Sequence, residues 1–274
     1  MTIPGVGQTA IRIDLRPGRA PVLLLHGWGI TADFNFCHLL APAAARYGVV
    51  AMDLRGHGRG LPVPADQRFT IRQCADDVIS VLDALDVPEV VGCGYSLGGP
   101  VALELAERYP DRVAALVLQA TAVTFDSSAD RVLQTLLRAL RPLARRSHGI
   151  GKSAPLHYFR RFRTRNQQTA DWWPWLAGEL RLCDPLVLVD AFLDEYAFHF
   201  APNSPALADV PTAVVVTARD RSVPPTDQRA MARRLDAKVI ELDAEHHVFL
   251  TDPIAYVETT LRAISAITDE HVSS

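Results

Sequence analysis

The sequence contains no apolar run that approaches the roughly 20 residues needed to cross a membrane. Its opening residues, Met1 to Gly5, lack the basic and apolar regions of a secretory signal. Neither charge dominates, since 28 lysines and arginines stand against 31 aspartates and glutamates, a formal net charge of -3. This balance gives no electrostatic reason to expect a nucleic-acid partner. We therefore expect a cytoplasmic protein without a transmembrane segment and without a nucleic-acid partner.

Cysteines are few and far apart, with no C-x-x-C pair among them. Spacing of this kind argues against both a disulfide framework and a zinc site. The glycine-rich phosphate loops that bind dinucleotides or nucleotides are also missing. We expect neither a metal nor an organic cofactor. The four cysteines are Cys37, Cys74, Cys93 and Cys183.

Short continuous apolar runs recur along the chain, and segments of helical periodicity lie between them. Such runs are typical of parallel strands that are buried on both faces. One connecting segment begins at Thr70, which with Gln73 matches a helix capping box. The alternation predicts an α/β fold with a mostly parallel central sheet and helices on both faces. The runs are residues 22–25, 49–52, 90–93, 113–118 and 213–217, and residues 238–242 are a further predicted strand that includes Lys238 and Glu241.

The alternation breaks between residues 124 and 205, where amphipathic stretches and three of the four tryptophans occur. One strand-like run, residues 186–189, fits a buried helix equally well. We therefore expect a helical cap at 124–205, inserted into a core formed by 1–123 and 206–274. The last helix of the core should begin at Asp252-Pro253, an N-cap residue followed by a first-turn proline.

A G-x-S-x-G motif surrounds Ser96, in the order Gly94-Tyr95-Ser96-Leu97-Gly98. The pattern alone is weak, but here an apolar run precedes it and a helical pattern follows it. A sharp turn from strand to helix exposes the serine hydroxyl and needs glycines where chain segments approach closely. The start of the helix also favours a developing negative charge. The motif indicates a nucleophilic serine, with a plain glycine-rich turn as the alternative.

These motifs resemble those of the α/β-hydrolase family, and they follow the family's order along nearly the whole chain outside the insertion. His26-Gly27-Trp28 comes first, Asp-Leu-Arg-Gly-His-Gly at 53–58 comes second, and the serine motif follows. The chain is most similar to the capped, cofactor-free serine hydrolases, such as esterases and lipases. The resemblance implies the α/β-hydrolase fold and a triad in the chain order Ser, Asp, His.

A serine hydroxyl needs an adjacent base to act as a nucleophile at neutral pH. The resemblance places this base at His246, six residues before the aspartate of the closing Asp-Pro. Glu245 stands where the family usually has glycine, which departs from the pattern. The adjacent His247 therefore remains an alternative base.

The resemblance also supplies the remaining parts of the site. Asp220, just beyond a predicted strand, is the candidate acid that would hold the second ring nitrogen of the histidine. A salt bridge with Arg219 or Arg221 is the structural alternative for this carboxylate. The backbone amides of Trp28 and Leu97 are the expected oxyanion hole, in which each donor contributes about 3 kcal/mol to the transition state.

The predicted cap is strongly basic in its first half, with ten lysines or arginines and no acidic residue from Arg131 to Arg165. This bias fits an anionic substrate, such as a coenzyme A or phosphopantetheine thioester, or an anionic membrane surface. Acidic neighbours in the fold would explain it equally well. The tryptophans at 172, 173 and 175 are assigned to the core of the cap, with a lipid-facing substrate site as the alternative.

The resemblance thus predicts hydrolysis of a carboxylic ester or thioester through an acyl-enzyme on Ser96. The expected partner is a small acyl substrate that is either anionic or lipid-like. The same triad also serves carbon–carbon bond hydrolysis, perhydrolysis and acyl transfer. A catalytically silent ligand-binding module is a further alternative.

Overall fold

A sheet of seven strands forms the centre of the computed structural model, in which residues 1–64, 66–123, 128–146, 154–198 and 204–268 are described. The strands of this sheet are β3 (Ile11–Asp14), β4 (Val22–Leu25), β5 (Val49–Met52), β6 (Val90–Tyr95), β7 (Val113–Gln119), β8 (Thr212–Thr217) and β9 (Lys238–Leu242). Their order is β3-β5-β4-β6-β7-β8-β9, and all neighbours are parallel except β3 and β5. A separate hairpin consists of β1 (Thr2–Ile3) and β2 (Gly7–Gln8).

The predicted strands are those with continuous apolar sequences. Strands β4, β5, β6 and β8 are buried along their whole length, as expected for strands covered on both faces. Strand β3 was not predicted, because its Ile-Arg-Ile-Asp sequence offers no continuous apolar run. It lies at the edge of the sheet and is partly exposed, so its polar side chains reach solvent.

Helices cover both faces of the sheet, which confirms the predicted fold class. One face packs against α1 (Ala32–Phe36), α2 (Leu40–Arg46) and the C-terminal helices α11 (Val248–Thr251) and α12 (Pro253–Thr268). The opposite face packs against α3 (Ile71–Ala84), α4 (Gly98–Arg108) and α10 (Pro225–Arg234). Two separate apolar clusters, one on each side of the sheet, result from this arrangement.

Two of the predicted helix starts have the expected capping contacts. The Thr70 hydroxyl accepts a hydrogen bond from the Gln73 backbone amide at 3.1 Å. The reciprocal half of the capping box is absent, since Gln73 Oε1 accepts no hydrogen bond among the described residues. The Asp252 carboxylate accepts from the Ala255 amide at 3.1 Å at the start of α12. Local sequence therefore specifies where these helices begin.

Between β7 and β8 the regular secondary structure of the described residues is helical. The predicted start at residue 124 lies outside the described residues, and the run at 186–189 belongs to a helix. We call the described part of this region the helical segment. It comprises α5 (Ser128–Arg146), α6 (Ala154–Phe159), α7 (Gln167–Glu179), α8 (Pro185–Ala197) and α9 (Pro205–Ala208). Among the described residues, no helix is long and apolar enough to cross a bilayer.

Candidate active site

Ser96 occupies the sharp turn between β6 and α4. Its backbone has φ +50°, a left-handed conformation that is strained for a residue with a Cβ atom. A hydrogen bond from its amide to the Gln119 carbonyl (2.9 Å) holds the turn against β7. Glycine is required nearby, because a Cβ atom on Gly98 would overlap the carbonyl oxygen of Leu25. The turn thus brings the serine to the carboxyl end of the parallel sheet.

The structure brings Ser96, His246 and Asp220 together from three separate parts of the chain. His246 Nε2 lies 3.2 Å from Ser96 Oγ, and His246 Nδ1 lies 2.7 Å from Asp220 Oδ2. Asp220 follows β8, and His246 follows β9, so both loops leave the same edge of the sheet as Ser96. Three side chains 26 to 150 residues apart in sequence therefore form one hydrogen-bonded chain.

The Asp220 carboxylate is buried and receives several hydrogen bonds besides the one from His246. Burial alone would raise the pKa of this carboxyl, but the interactions with His246 and the other donors outweigh burial and lower it. Within the described residues neither Arg219 nor Arg221 forms a salt bridge with Asp220, and Arg219 pairs with Asp243 at 2.8 Å. The other donors are the amides of Ser222 and Val223 and the side chains of Thr217 and Gln228.

The loop that carries His246 is held by a residue that sequence reasoning missed. The buried Tyr95 hydroxyl donates a short hydrogen bond to the backbone carbonyl of His246. The Tyr95 ring packs edge-on against Phe249 and Tyr256, which follow His246 in the chain. Tyr95 occupies a variable position of the serine motif, so the motif itself carries no signal for this contact.

The alternative base, His247, lies next to His246 but has different neighbours. Its ring packs 4.4 Å from the Phe162 ring and close to Tyr158 and Phe159. Burial lowers the pKa of His247 well below the ordinary value. Within the described structure, His247 forms no hydrogen bond with Ser96 or Asp220.

The two predicted oxyanion amides lie at the ends of two different loops. Leu97 directly precedes α4, and Trp28 follows Gly27, whose amide is held by the Asn35 side chain at 3.0 Å. Among the described residues, neither the Leu97 nor the Trp28 amide donates a hydrogen bond to another backbone group outside helices and strands. The Trp28 indole bonds instead to the Leu188 carbonyl at 2.6 Å.

The remaining residues of the family motifs have structural partners. His26 Nε2 accepts a hydrogen bond from the Leu54 amide, and His26 Nδ1 forms a hydrogen bond with the Gly27 carbonyl, both at 2.8 Å. Burial lowers the pKa of His26 to about 4, so the ring is neutral at physiological pH. The fully buried Asp53 carboxylate accepts from the amides of Ala32 and Arg59. These two residues shape the loops around the site.

A cavity of about 330 Å³ opens onto Ser96 and His246. Its wall is mostly aromatic or aliphatic, and the helical segment contributes part of it. None of the predicted basic residues whose side chains are described lines it, and Lys152 lies outside the described residues. Arg141 pairs with Asp190 at 2.5 Å, and Arg161 lies 3.9 Å from the ring centre of Tyr158. Other residues of the wall are Trp28, Ile30, Leu133, Phe159, Phe192, Glu195 and Tyr196.

Of the three predicted cap tryptophans, Trp173 is buried in a core cluster. Trp172 and Trp175 are 37% and 45% exposed, so assigning all three to a core was wrong. They lie on an outer groove with Asp33, Cys37 and Leu40, away from Ser96.

Comparison with known proteins agrees with this architecture. Residues 20–253 match the family model of the alpha/beta hydrolase fold. Over 123 residues the chain is 37% identical to the dihydrolipoyllysine-residue acetyltransferase component of the acetoin cleaving system of Pseudomonas putida, covering 44% of this chain and 32% of that protein. Over 109 residues it is 39% identical to a pimeloyl-(acyl-carrier protein) methyl ester esterase of Neisseria meningitidis, covering 40% of each. The chain thus spans less than half the length of these curated relatives.

Similarity to solved structures extends over almost the whole chain. The enol-lactonase of Burkholderia xenovorans superposes with a TM-score of 0.73 at 23% identity, covering 96% of this chain and 98% of the lactonase. At 23% sequence identity, this similarity shows a shared fold and nothing further. Because the family match spans most of the chain and the observed sheet agrees with it, the protein belongs to the α/β-hydrolase fold family.

Proposed function

We propose that this protein is a serine hydrolase that cleaves a carboxylic ester or thioester through an acyl-enzyme on Ser96. The observation that carries the proposal is the hydrogen-bonded chain from Asp220 through His246 to Ser96, with distances of 2.7 Å and 3.2 Å. A neutral imidazole that donates its Nδ1 proton to a carboxylate leaves Nε2 ready to accept the serine proton. The lowered pKa of Asp220 keeps that carboxyl ionised.

In the first half of the reaction, His246 Nε2 takes the proton of Ser96 Oγ while Oγ attacks the carbonyl carbon of the substrate. The tetrahedral intermediate places its negative oxygen toward the amides of Trp28 and Leu97. When this intermediate collapses, the bond to the leaving alcohol or thiol breaks, and His246 returns the proton to that group.

In the second half, water replaces the leaving group. His246 removes a proton from water as its oxygen attacks the acyl carbon, and Ser96 Oγ leaves with the proton that His246 then returns. The products are the free carboxylic acid and the regenerated serine. Each lost oxyanion donor should cost about 3 kcal/mol of transition-state stabilisation.

The boundaries of the cap belong to the same proposal: residues 124–205 cover the site, and 1–123 with 206–274 form the core. In support, helices α5, α6 and α8 each contribute side chains to the cavity wall that also contains Ser96. The wall is largely apolar, which favours an apolar acyl group over the anionic one considered from the basic sequence. In further support, the proteins to which the chain is similar include an esterase of Neisseria meningitidis and a lipase of Mycobacterium tuberculosis.

The decisive experiment is intact-protein mass after treatment with a fluorophosphonate probe. Wild type should gain one adduct, Ser96→Ala should gain none, and His246→Ala should react at least about 10³-fold more slowly. His247→Gln is the matched control and should label at nearly the wild-type rate. An unlabelled but folded wild type would overturn the proposal, and normal labelling of His246→Ala would overturn the base assignment.

Product analysis then separates ester hydrolysis from the other reactions that the same triad supports. Aryl esters offered in water should yield only the acid and the phenol. Transfer of the acyl group to an added alcohol, in preference to water, would replace hydrolysis by acyl transfer. Cleavage confined to a carbon–carbon bond of a β-diketone would replace it by carbon–carbon hydrolysis.

A further inference from the structure

A carboxyl group from the helical segment lies in the wall of the cavity that contains Ser96. Helix α8 presents Phe192, Glu195 and Tyr196 to this cavity, at the i, i+3 and i+4 spacing of one helix face. One turn earlier on the same side, the Leu188 carbonyl accepts the Trp28 indole proton. This face of α8 is therefore attached to the loop that carries a proposed oxyanion donor.

Three acidic residues of α8 have different environments. The buried Asp190 pairs with Arg141, and Asp194 accepts the amide of Ile71 at 2.7 Å at the start of α3. Glu195 is only 5% exposed, yet within the described part of the chain its carboxyl forms no hydrogen bond and no ion pair. Its backbone carbonyl alone accepts a bond, from the Phe198 amide. The fold uses two of these acids and leaves the third unpartnered in the cavity.

A buried carboxyl without a partner is unfavourable, and it is least unfavourable when neutral. Burial raises the pKa of Glu195 to about 8, so the group carries a proton at neutral pH. A protonated carboxyl donates one hydrogen bond, which a carboxylate cannot do. Among the described residues that line the cavity there is no lysine or arginine to stabilise an ionised carboxylate.

Burial is the cause of this shift, and no neighbouring charge opposes it. The charged side chains described on α3 and α5, the helices packed on α8, are ion-paired or exposed: Arg72, Asp76, Asp77, Asp83, Arg131, Arg138 and Arg141. In the cavity wall, His246 is hydrogen-bonded to Asp220, and His247 is buried among aromatic rings.

Resting on the proposed hydrolase function, we propose that Glu195 determines specificity by donating a hydrogen bond to an uncharged oxygen within the acyl chain of the substrate. The substrate class is thus a neutral acyl ester or thioester whose otherwise apolar chain carries an ether, keto or hydroxyl oxygen. An unmodified alkyl chain would leave the Glu195 carboxyl without a hydrogen-bond partner. An anionic chain would be buried beside this carboxyl with no cation to balance its charge. The helical segment thereby selects among acyl groups that the triad alone would treat equally.

The test is an oxygen scan with 4-nitrophenyl esters. Heptanoate is compared with three isosteric chains in which oxygen replaces the methylene at carbon 4, 5 or 6, in wild type, Glu195→Gln and Glu195→Leu. At pH 6.5, wild type and Glu195→Gln should favour one oxygen position over heptanoate by about tenfold more than Glu195→Leu does. Melting temperatures verify that both variants are folded.

The pH dependence separates donation by the acid from a merely structural role. Above about pH 9 the preference should vanish in wild type, because the ionised carboxylate cannot donate to an ether oxygen. It should persist in Glu195→Gln, whose amide donates at every pH. An equal preference in all three proteins, a preference independent of pH in wild type, or a stronger preference for 7-aminoheptanoate would each overturn the inference.

Heptanoate turnover and fluorophosphonate labelling test the hydrolase function separately from this preference. If wild type hydrolyses heptanoate but shows no oxygen preference, only the role of Glu195 fails. If no ester is hydrolysed, the hydrolase proposal fails. The same oxygen scan is then made with unreactive methyl ketones, followed by quenching of protein fluorescence, to which the cavity residue Trp28 contributes. Equal affinity of wild type for the ketones with and without the oxygen would overturn the role of Glu195 in that case.

Discussion

The two sides of the candidate site are built by different physical means. On the sheet side, β4 and β6 are buried along their whole length, and glycines stand where any side chain would overlap backbone. On the helical side, α5 exposes Val132, Leu133 and Leu136 at 61%, 38% and 54%. The sheet side is held by dense packing around the serine turn, which leaves little room for substitution.

The helical segment is held to the sheet side by polar contacts as well as by packing. Glu179, at the end of α7, is 3% exposed and accepts two hydrogen bonds from Arg59 and one from Thr31. The sheet side and the helical side therefore supply different parts of the candidate site. The proposed triad lies on the sheet side, whereas the helical side supplies a large part of the apolar wall of the cavity, including Leu133, Phe159 and Phe192.

The largest expected effect is on the sheet side. Asp220→Asn should reduce kcat by about 10⁴-fold, because the amide would hold His246 in the wrong tautomer. Asp243→Asn, which removes an exposed carboxylate from the next loop, is the matched control and should leave kcat unchanged. Ester hydrolysis under saturating substrate measures both. A loss below about tenfold in Asp220→Asn would show that Asp220 does not orient the base.

Next in size is a pair of glycine substitutions that compares the two sides directly. Gly98→Ala should destabilise the fold by about 3 kcal/mol or more, because the new methyl group would overlap the Leu25 carbonyl oxygen. Gly178→Ala, in an exposed position of α7 with nothing within 4 Å, should stabilise by about 0.5–1 kcal/mol. Urea unfolding monitored by circular dichroism measures both. Equal effects of the two changes would contradict the comparison.

A pH-dependent effect is expected on the helical side. The raised pKa of Glu195, about 8 against an ordinary 4.5, means that the folded state keeps a proton which the unfolded chain releases. This stability is complete below pH 4.5 and is lost as pH rises through about 8. As the pH rises from 5 to 7, the free energy of unfolding of wild type should therefore fall relative to that of Glu195→Gln. The expected change in this difference is about 2 kcal/mol, at roughly 1.4 kcal/mol per pH unit.

Parallel unfolding curves at the two pH values, for wild type and Glu195→Gln, give this difference directly. Glu258→Gln, a change in α12 away from the cavity, is the control for a general effect of removing one carboxylate. A difference between wild type and Glu195→Gln that stays constant with pH would mean that Glu195 is ionised in the folded protein.

The smallest expected effect concerns the contact between the two sides. Arg59→Ala leaves the buried Glu179 with only the Thr31 hydroxyl and should cost about 1–2 kcal/mol, less than a fully buried pair because Arg59 is 46% exposed. Arg229→Ala removes a similar but exposed pair with Glu241 and should cost clearly less, because solvent screens exposed ion pairs. Thermal unfolding compares them. Equal losses would show that the Glu179 contact does not attach the helical segment.

Much of the fold was predictable because strand and helix patterns are local. The buried parallel strands appear as continuous apolar runs, and Thr70 and Asp252 cap the helices that follow them. The edge strand β3 was missed, because an exposed four-residue strand needs no apolar run. The sequence also did not predict which residues of the helical segment face the cavity, because α8 is apolar on more than one side.

For the site, the sequence and its family resemblance predicted Ser96, Asp220 and, with His247 as the alternative base, His246, since each stands at a recognisable place relative to a strand or a closing Asp-Pro. Only the tertiary structure decided that His246, and not its neighbour, contacts Ser96, and that Tyr95 holds the His246 loop. Only the tertiary structure, too, shows that Glu195 is buried without a partner among the described residues, whereas Asp190 and Asp194 of the same helix have partners. The physical reason is that hydrogen bonds and burial depend on residues far apart in the chain, which no local pattern records.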